Sequence, residues 1–365
     1  MLLKFPIPEP NRMKTYRIAV LAGDGVGPEV VHQALRVVRA AASQHQFDLE
    51  LMEYPYGTEH WLKTEEILPD ASFEEIQKAD AIILGAFGDP RAPVGLIERG
   101  IIGRCRWDLD LYVNLRPIKL LDEKFCPLKG KSAADVDMLI VRENTEDVYV
   151  QKPTYQNQGT VDEIAEQSMR YTYAGTERII RYAFEQAQAR PRKHLTLIDK
   201  ANAVRAQDLY TRVFAAIAEE FPAVETGHLY VDAACMRMIE SPESIDTAVT
   251  TNLFGDIVTD LGAMLQGGMG VAASANLHPG KMGLFESVHG SFPQAAGKNI
   301  ANPIATLNAC VMMLDYFGEA AAAREIEGAV AHLLRGGGIR SLEVGVHKTD
   351  EIGDLILDQL AVGCE

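Results

Sequence analysis

Residues 17–44 read RIAVLAGDGVGPEVVHQALRVVRAAASQ, and this stretch sets the fold class. Residues 17–21 are a short apolar run that predicts a strand, and the glycines of GDGVG predict a turn. The apolar residues that follow recur at helical spacing, which predicts an amphipathic helix to about Gln44. A strand that leads through a turn into a helix is typical of an α/β architecture.

The glycines of this turn match a dinucleotide-binding fingerprint only in part. That fingerprint requires the spacing G-x-G-x-x-G, and Val30 stands where the third glycine belongs. Pro28 suits the first turn of a helix. The sequence therefore predicts a structural turn, with Rossmann-type binding as the alternative.

The same alternation of strand and helix continues along the chain and predicts a largely parallel sheet. Strand-like segments dominate residues 111–150, and polar residues 151–159 predict an arm. The C-terminal third is predicted to be helical after a loop rich in Gly and Pro at residues 267–303. Further strands are predicted at residues 49–54, 80–86, 195–198 and 248–251, and helices at 72–78, 163–190 and 205–220.

Composition restricts the class of function. A chain of 365 residues has room for two domains. Its net charge of −16 argues against a nucleic acid or an acidic membrane as partner, but not against a small acidic substrate. No apolar run approaches the roughly 18 residues that span a bilayer.

The five cysteines form no CxxC pair, which predicts free thiols in a reducing cytosol. The opening residues 1–13, MLLKFPIPEPNRM, lack the pattern of a signal peptide. They predict a loose extension, with Met13 as a second candidate start.

Two aspartates in TTNLFGDIVTD, residues 250–260, are candidate metal ligands. Asp256 and Asp260 are four residues apart, which puts both carboxylates on one face of a helix. Carboxylate oxygens suit Mg²⁺ or Mn²⁺. Asp232, which follows the strand-like run 228–231, is a third candidate ligand. The alternative is a solvated acidic helix face.

Three arginines are candidate substrate ligands. Arg106 and Arg116 flank DLDLYVN, and Arg142 follows the apolar strand 137–141. Guanidinium groups offer planar pairs of donors that match carboxylates. As a set, they predict an acid with more than one carboxylate, although each alone would more often form a surface ion pair.

A lysine, a tyrosine and a histidine complete the candidates. Lys200 follows the apolar run 195–198, and a lysine near other cations has a lowered pKa and can act as a base. Tyr149 lies seven residues past Arg142. His289 lies in a loop whose glycines let the backbone approach a ligand. Lone residues of these types are usually structural or solvated.

Eight motifs in a fixed order resemble the β-decarboxylating dehydrogenases of 2-hydroxy acids, a family that acts on isopropylmalate, isocitrate, homoisocitrate, tartrate and D-malate. The resemblance runs from about Ile18 to Asp354. The motifs are GDGVGPEV, GAFGDP, DLDLYVNLRP, VRENTEDVYV, DKANA, YVDAACMRM, NLFGDIVTDL and HGSFPQAAGKNIANP.

The resemblance implies a two-domain α/β fold that is not a Rossmann fold. Residues 1–111 and 267–365 would form the first domain, which carries the cofactor loop. Residues 112–266 would form an inserted central domain for dimerisation, metal and substrate. Active sites would be shared between the two subunits of a homodimer.

The family also implies residue roles. Arg106, Arg116 and Arg142 would bind the substrate carboxylates. Tyr149 would donate a proton, and Lys200, from the partner subunit, would remove one. The implied ligands of Mg²⁺ or Mn²⁺ are Asp256, Asp260 and, from the partner subunit, Asp232.

The cofactor loop favours NAD. NAD-using members usually carry an aspartate where this chain has Gln294, but the Lys-Tyr pair of many NADP-using members is also absent. His289 and Asn302 are expected against the adenine, with Gly290 beside them. Asp147 stands where glycine is common in the family.

Substrate choice depends on the segment before Arg106. Isopropylmalate enzymes place a leucine pair where this chain has Ile102 and Gly103, so Ile102 would supply an apolar contact and Gly103 would leave space. The serine of isocitrate enzymes is Gly100 here, and a missing hydrogen-bonding group discriminates strongly. We expect 3-isopropylmalate first, tartrate or D-malate next, then isocitrate or homoisocitrate. A non-catalytic regulatory homologue is the alternative of another class.

Overall fold

The computed structural model describes residues 13–362, which fall into two compact units. Unit 1 takes the described residues up to Leu111, then Leu121–Pro127, then those from Gln266 onward. Unit 2 takes Tyr112–Leu120 and Leu128–Leu265. The predicted N-terminal extension, residues 1–12, and Cys364 lie outside the described residues. The functions assigned to the two predicted domains stay predictions.

The first part of unit 1 has the predicted strand, turn and helix. Strand β1 (Lys14–Gly23) leads into helix α1 (Gly27–Gln44), which has Pro28 in its first turn and buries valine and alanine side chains along one face. The next elements are β2 (Phe47–Glu53), α2 (Thr58–Thr64), α3 (Asp70–Ile76), β3 (Ala81–Ala86), α4 (Leu96–Glu98), a π-helix (Arg99–Gly103) and α5 (Arg104–Asp108).

Unit 2 contains both strands and helices. Its elements in chain order are β4 (Val113–Lys119), β5 (Asp137–Glu143), β6 (Thr154–Gln156), β7 (Ile164–Glu166), α6 (Tyr173–Ala189), β8 (His194–Asp199), α7 (Asp208–Ala218), β9 (Glu225–Tyr230), α8 (Val231–Glu240), β10 (Thr247–Thr250) and α9 (Asn252–Leu265).

The chain then returns to unit 1 and ends in helices. The last elements are β11 (Ala273–Leu277), β12 (Gly283–Ser287), α10 (Ile304–Phe317), α11 (Ala320–Arg335) and α12 (Thr349–Val362). Short 3₁₀-helices cover Glu123–Phe125, Val148–Val150, Arg205–Gln207, Pro242–Ser244, Met269–Val271 and Pro293–Ala295.

The strands confirm the predicted, largely parallel sheet. In unit 1 the order is β2-β1-β3-β12-β11, and only β11 and β12 pair antiparallel. In unit 2 the order is β4-β5-β10-β8-β9, and only β4 and β5 pair antiparallel. The carboxyl ends of β5, β8 and β10 therefore lie at one edge of the sheet, where α/β proteins carry their sites.

The helix predicted over residues 163–190 is wrong in its first ten residues. Strand β7 pairs there in an exposed antiparallel hairpin with β6, which lies within the arm predicted at residues 151–159. Helix α6 begins only at Tyr173, where the Thr172 hydroxyl accepts from the Gly175 N–H. Residues 163–168 are all exposed, Ile164 and Ala165 included, so a helix there would bury no apolar face.

The loop predicted over residues 267–303 is also wrong in part, because it contains strands β11 and β12. Both are five-residue strands buried along their whole length. Their sequences did not predict strands, because runs this short show no clear periodicity and are flanked by glycine and proline.

The glycine turn is structural, as the sequence predicts. A Cβ at Gly25 would collide with the Ser291 carbonyl, and Gly25 has a φ of +60°. The Asp24 carboxylate accepts from the Thr58 N–H at 2.7 Å and from the Gly88 N–H at 3.0 Å. This carboxylate therefore ties three loops of unit 1 together.

No helix within residues 13–362 is long and apolar enough to cross a bilayer. The cysteines of the described part of the chain are free thiols, which confirms that prediction for Cys105, Cys126, Cys235 and Cys310.

Candidate active site

Helix α9 carries the predicted aspartate pair on one face. Asp256 and Asp260 both lie beside the Arg116 guanidinium, with N–O distances of 3.6 and 3.7 Å. The helix begins directly after β10, so the pair lies close to the carboxyl edge of the unit 2 sheet. The structure therefore brings two predicted metal ligands together with one predicted substrate ligand.

Arg142 at the end of β5 is the centre of this cluster. Its side chain is only 2% exposed and passes over Gly255, where a Cβ would collide with it. Its Nε and Nη2 donate to Asn252 Oδ1 at 3.0 and 2.7 Å, and Nη1 donates to Asp256 Oδ1 at 2.5 Å. The guanidinium plane is thus fixed before any ligand binds.

Arg116 on β4 is held in a similar way. Its Nε donates to Asn114 Oδ1 at 2.8 Å, and its Nη1 donates to the Thr259 hydroxyl at 2.6 Å. Both partners are buried, so the arginine has little freedom to move. The predicted pair Arg116 and Arg142 therefore forms a rigid positive surface against helix α9.

The two aspartates have opposite pKa shifts. Burial alone would raise the pKa of Asp256, but the charges of Arg142 and Arg116 outweigh it and the pKa is lowered. For Asp260 burial dominates, the negative charge of Asp256 adds to it, and the pKa is raised. Asp260 is thus a carboxylate with too little positive charge nearby.

Tyr149 reaches the same cluster from the short 3₁₀-helix after β5. Its hydroxyl donates to Asp256 Oδ2 at 2.9 Å, and the Arg142 guanidinium lies over its ring, 5.6 Å from the centroid. Burial, and then the charge of Asp256, raises the pKa of Tyr149 to about 12. The hydroxyl therefore keeps its proton at neutral pH, as a proton donor must.

Lys200 and Asp232 form a separate ion pair in unit 2. Their Nζ and Oδ1 atoms are 2.7 Å apart, and the Lys200 ammonium lies over the Tyr230 ring, 5.7 Å from the centroid. Asp232 is 67% exposed. Lys200 follows β8 and Asp232 follows β9, so adjacent parallel strands place the pair.

One chain does not assemble the whole predicted metal trio. Across residues 13–362 no three His, Cys, Asp or Glu side chains form a group that could hold a metal ion. Asp256 and Asp260 nevertheless suit a divalent cation, because they are close, partly exposed oxygen donors, and Asp260 lacks sufficient counter-charge. The chemistry of these donors fits Mg²⁺ or Mn²⁺ once a third ligand is added.

The remaining predicted arginine, Arg106, lies in unit 1. Its Nη2 donates to Glu286 Oε1 at 2.9 Å, and Asn276 donates to the same oxygen at 2.8 Å. Its buried Nε has no partner among the described residues, so one donor is left for a carboxylate. Glu286 is a functional neighbour that the sequence did not indicate, because it lies 180 residues from Arg106.

Ile102 and Gly103 lie in the π-helix just before Arg106. Ile102 packs against the core of unit 1 and is partly exposed, so it offers an apolar surface. The space expected at Gly103 is not there, because a Cβ on this residue would be only 2.9 Å from the Trp107 ring. The Trp107 indole, four residues further along, fills that position.

Gly100 has no room for a serine either. A Cβ there would be 2.7 Å from Ile67 Cγ2. The hydrogen-bonding group of isocitrate enzymes is therefore replaced by a close apolar contact.

The predicted cofactor loop of unit 1 has polar atoms that lack partners among the described residues. His289 donates through Nδ1 to the Gly290 carbonyl, 2.9 Å away, while its buried Nε2 has no partner among the described residues. Asn302 Oδ1 accepts from the Ile304 N–H, while its buried Nδ2 is unpaired. Gln294 is exposed. Unpaired buried polar atoms are costly, so His289 and Asn302 fit a bound adenine.

Burial lowers the pKa of His289, so the imidazole is neutral at pH 7. A neutral imidazole can stack on an adenine and hydrogen-bond to it.

Comparison with known proteins identifies the family. The model of the isocitrate/isopropylmalate dehydrogenase family matches residues 17–356. The 3-isopropylmalate dehydrogenase of Thermobifida fusca is 45% identical over 351 residues, which cover 95% of this chain and 98% of that protein. The protein of the same name from Frankia casuarinae is 44% identical, with 87% and 92% covered.

Solved structures give the same family. The isocitrate dehydrogenase of Methylococcus capsulatus superposes with a TM-score of 0.84 at 34% identity, covering 94% of this chain and 99% of that one. A β-decarboxylating dehydrogenase from Thermococcus kodakarensis, in its apo form, gives 0.76 at 31% identity, with 95% and 96% covered.

Proposed function

Because the chain belongs to the isocitrate/isopropylmalate dehydrogenase family and is a β-decarboxylating dehydrogenase, we propose that it oxidises and decarboxylates 3-isopropylmalate to 2-oxoisocaproate, with NAD and Mg²⁺ or Mn²⁺. The observation that carries the proposal is the cluster on helix α9. There Arg116, Arg142, Tyr149, Asp256 and Asp260 combine carboxylate binding, metal binding and proton donation within a few ångströms.

Each step of the reaction has a residue suited to it. The arginines bind the substrate carboxylates, and Lys200 removes the proton of the C2 hydroxyl. After the C3 carboxylate leaves as carbon dioxide, the Tyr149 hydroxyl gives its proton to C3. When bound, NAD supplies a hydride acceptor, and the divalent cation supplies positive charge that favours loss of the hydroxyl proton and stabilises the enolate.

The segment before Arg106 supports 3-isopropylmalate over isocitrate. Ile102 and the Trp107 indole offer apolar surface where other isopropylmalate enzymes have leucines, and Gly100 offers no hydrogen bond. An apolar pocket without a partner for a third carboxylate would leave that charge desolvated. Tartrate or D-malate is the second candidate, because the Trp107 ring narrows the space that Gly103 was expected to leave.

The test is NADH formation by the purified protein with Mn²⁺ and K⁺, on a panel of 3-isopropylmalate, D-malate, tartrate, isocitrate and homoisocitrate. We expect 3-isopropylmalate to have the highest kcat/KM by at least about tenfold, the effect of a few methylene contacts. Turnover of only the smaller acids would instead assign the Trp107 pocket to tartrate or D-malate. No NADH formation with any of these acids would favour a non-catalytic regulatory homologue.

We further propose a homodimer with shared active sites, in the cytosol. Helices α8 and α9 expose Met236, Ile239, Ile257 and Met264, each 45% or more accessible, which is a large apolar area for two helices. A second copy covering this face would bury it. The separation of Lys200 and Asp232 from the α9 cluster supports the same arrangement, and the free thiols support a reducing compartment.

Hybrid dimers test the sharing directly. Lys200→Met chains, which should be inactive alone, and Tyr149→Phe chains, which should be slow alone, are unfolded together and refolded. If Lys200 acts on the partner's site, one site of each hybrid contains both an intact Tyr149 and an intact Lys200, and the mixture becomes faster than the Tyr149→Phe enzyme. If both residues act within one chain, every hybrid site lacks a group and the mixture is no faster than the Tyr149→Phe enzyme.

A further inference from the structure

Asp147 has a backbone conformation that is almost confined to glycine. Its φ is 74° and its ψ is −156°, a region in which the side chain of an L-residue is crowded. An aspartate here is strained, and such strain persists only where other contacts hold the residue.

The contacts that hold Asp147 are three hydrogen bonds to a buried carboxylate. The residue is 1% exposed. Oδ1 accepts from the Val148 N–H at 2.8 Å and from the Tyr171 hydroxyl at 3.0 Å. Oδ2 accepts from the Leu253 N–H at 3.0 Å. Leu253 is in the first turn of α9, where unpaired N–H groups and the helix dipole favour an anion.

Two hydrogen bonds join residues 147–149 to helix α9. Asp147 bonds the first turn of the helix, and Tyr149, two residues later, bonds Asp256 one turn further along. The short 3₁₀-helix Val148–Val150 connects the two points. With both bonds in place, the Tyr149 hydroxyl has a fixed height above the helix.

We propose that Asp147 is a positioning residue that holds the Tyr149 hydroxyl against Asp256. The inference rests on the proposed function, because the position of the hydroxyl affects turnover only if Tyr149 donates the proton to C3. The role is not substrate binding, because the contacts of the Asp147 carboxylate are to Val148, Tyr171 and Leu253.

A double-mutant cycle separates positioning from mere stabilisation. Asp147→Gly relieves the backbone strain and removes all three bonds, and Tyr149→Phe removes the hydroxyl itself. We expect each to lower kcat by about 10- to 100-fold, the usual cost of a misplaced catalytic group, with KM for the substrate changed by less than about threefold. The double variant should be no slower than Tyr149→Phe alone, because the two act on one interaction.

Two further variants keep the test decisive. Asp147→Asn tolerates the backbone and keeps Oδ1 as an acceptor, but it turns an NH₂ group towards the Leu253 N–H, so we expect an intermediate kcat even if the glycine variant folds poorly. Glu65→Gly is the matched control: Glu65 has a φ of 61° and is exposed, so the same substitution relieves strain without touching the site.

The outcomes are distinguishable. Wild-type kcat in both Asp147 variants, or losses that multiply in the double variant, would show that Asp147 is structural only. If Tyr149→Phe alone leaves kcat unchanged, the proton donor of the proposed function is wrong and Asp147 has nothing to position. A slow Tyr149→Phe with a normal Asp147→Gly would overturn the positioning inference and leave the proposed function standing.

Discussion

The cluster on helix α9 and the cofactor loop at residues 288–303 differ in how far their polar groups are already bonded. On α9, Arg116, Arg142 and Tyr149 each bond another member of the site. In the loop, buried atoms of His289 and Asn302 have no partner among the described residues. One region is organised before its ligand arrives, whereas the other leaves hydrogen bonds to be completed by a ligand.

This difference predicts how mutations divide between the regions. A change on α9 removes a group from a closed network, so it should reduce both catalysis and stability. A change in the loop removes only a contact with the dinucleotide, so it should raise KM for the coenzyme and leave kcat and stability nearly unchanged.

Arg142→Lys should have the largest effect. A lysine has one nitrogen in place of the three that donate to Asn252 and Asp256, so it loses at least one of these bonds and leaves the buried Asn252 oxygen with unmet hydrogen-bonding capacity. We expect kcat/KM for the substrate to fall by about 10³-fold or more, and the free energy of unfolding to fall by about 1–3 kcal/mol. Steady-state kinetics and denaturant unfolding would measure the two losses.

Arg181→Lys is the control for this prediction, because Arg181 forms an exposed ion pair with Glu220 on the surface of unit 2. Such pairs contribute about 0–1 kcal/mol, so activity should be unchanged. An Arg142→Lys enzyme with normal stability and reduced activity only would contradict the closed network, since the arginine would then serve the substrate alone.

Asp256→Asn should have the second-largest effect, which is weaker metal binding. The change removes a negative donor beside Asp260 and also removes the charge partner of Arg142. We expect the Mn²⁺ concentration for half-maximal activity, and the Kd for Mn²⁺ by calorimetry, to rise by about 10- to 100-fold. EDTA treatment of the wild-type enzyme should abolish turnover and Mn²⁺ should restore it.

Asp208→Asn, on the exposed face of α7 beside Arg212, is the matched control and should titrate like the wild-type enzyme. Asp232→Asn should behave like Asp256→Asn if the partner subunit completes the site. An unchanged Mn²⁺ titration for Asp256→Asn would remove that residue from the metal site.

His289→Ala tests the open region. Loss of the imidazole should raise KM for NAD, and the Kd for ADP-ribose, by about tenfold, which corresponds to about 1.4 kcal/mol, with kcat within about twofold of wild type. Burial lowers the pKa of His289 from 6.5, so the ring stays neutral as pH falls from 8 to 6.5, and KM for NAD should stay flat across that range. His332→Ala, on the exposed side of α11, should change neither constant.

The two regions also differ in what the sequence could predict. The α9 pair was predictable, because a four-residue spacing within one helix fixes a shared face whatever else the fold does. The partners of Arg142 and Arg106 were not, because Asn252 and Glu286 lie 110 and 180 residues away and meet them only through the sheet. The role of Asp147 was not predictable for a similar reason, because it depends on the φ angle of this residue and on its hydrogen bond to the start of a distant helix.

The prediction of secondary structure failed where the local sequence pattern and tertiary burial favour different structures. Residues 163–168 are exposed, and the pattern of the helix after them was extended too far back. Strands β11 and β12 were concealed by neighbouring glycines and prolines, yet they are buried along their whole length. In both cases the packing of the finished unit, which the sequence does not display, decided the outcome.

Gln294→Asp should have the smallest effect and bears on the choice of coenzyme. Gln294 is exposed in the loop, and an aspartate there would accept hydrogen bonds from the adenosine ribose while repelling a 2′-phosphate. Because an exposed charge is screened, we expect the preference for NAD over NADP to increase by only about tenfold, mainly through a higher KM for NADP. The increase should shrink when the salt concentration is raised from about 20 to about 500 mM, since the Debye length then falls below the span of the ribose phosphate.

Gln294→Asn, which adds no charge, should leave the preference unchanged. If the Gln294→Asp variant shows a large preference for NAD that does not depend on salt, the loop must close over the coenzyme and exclude water. The contrast between an organised α9 cluster and an open loop would then hold only for the free enzyme.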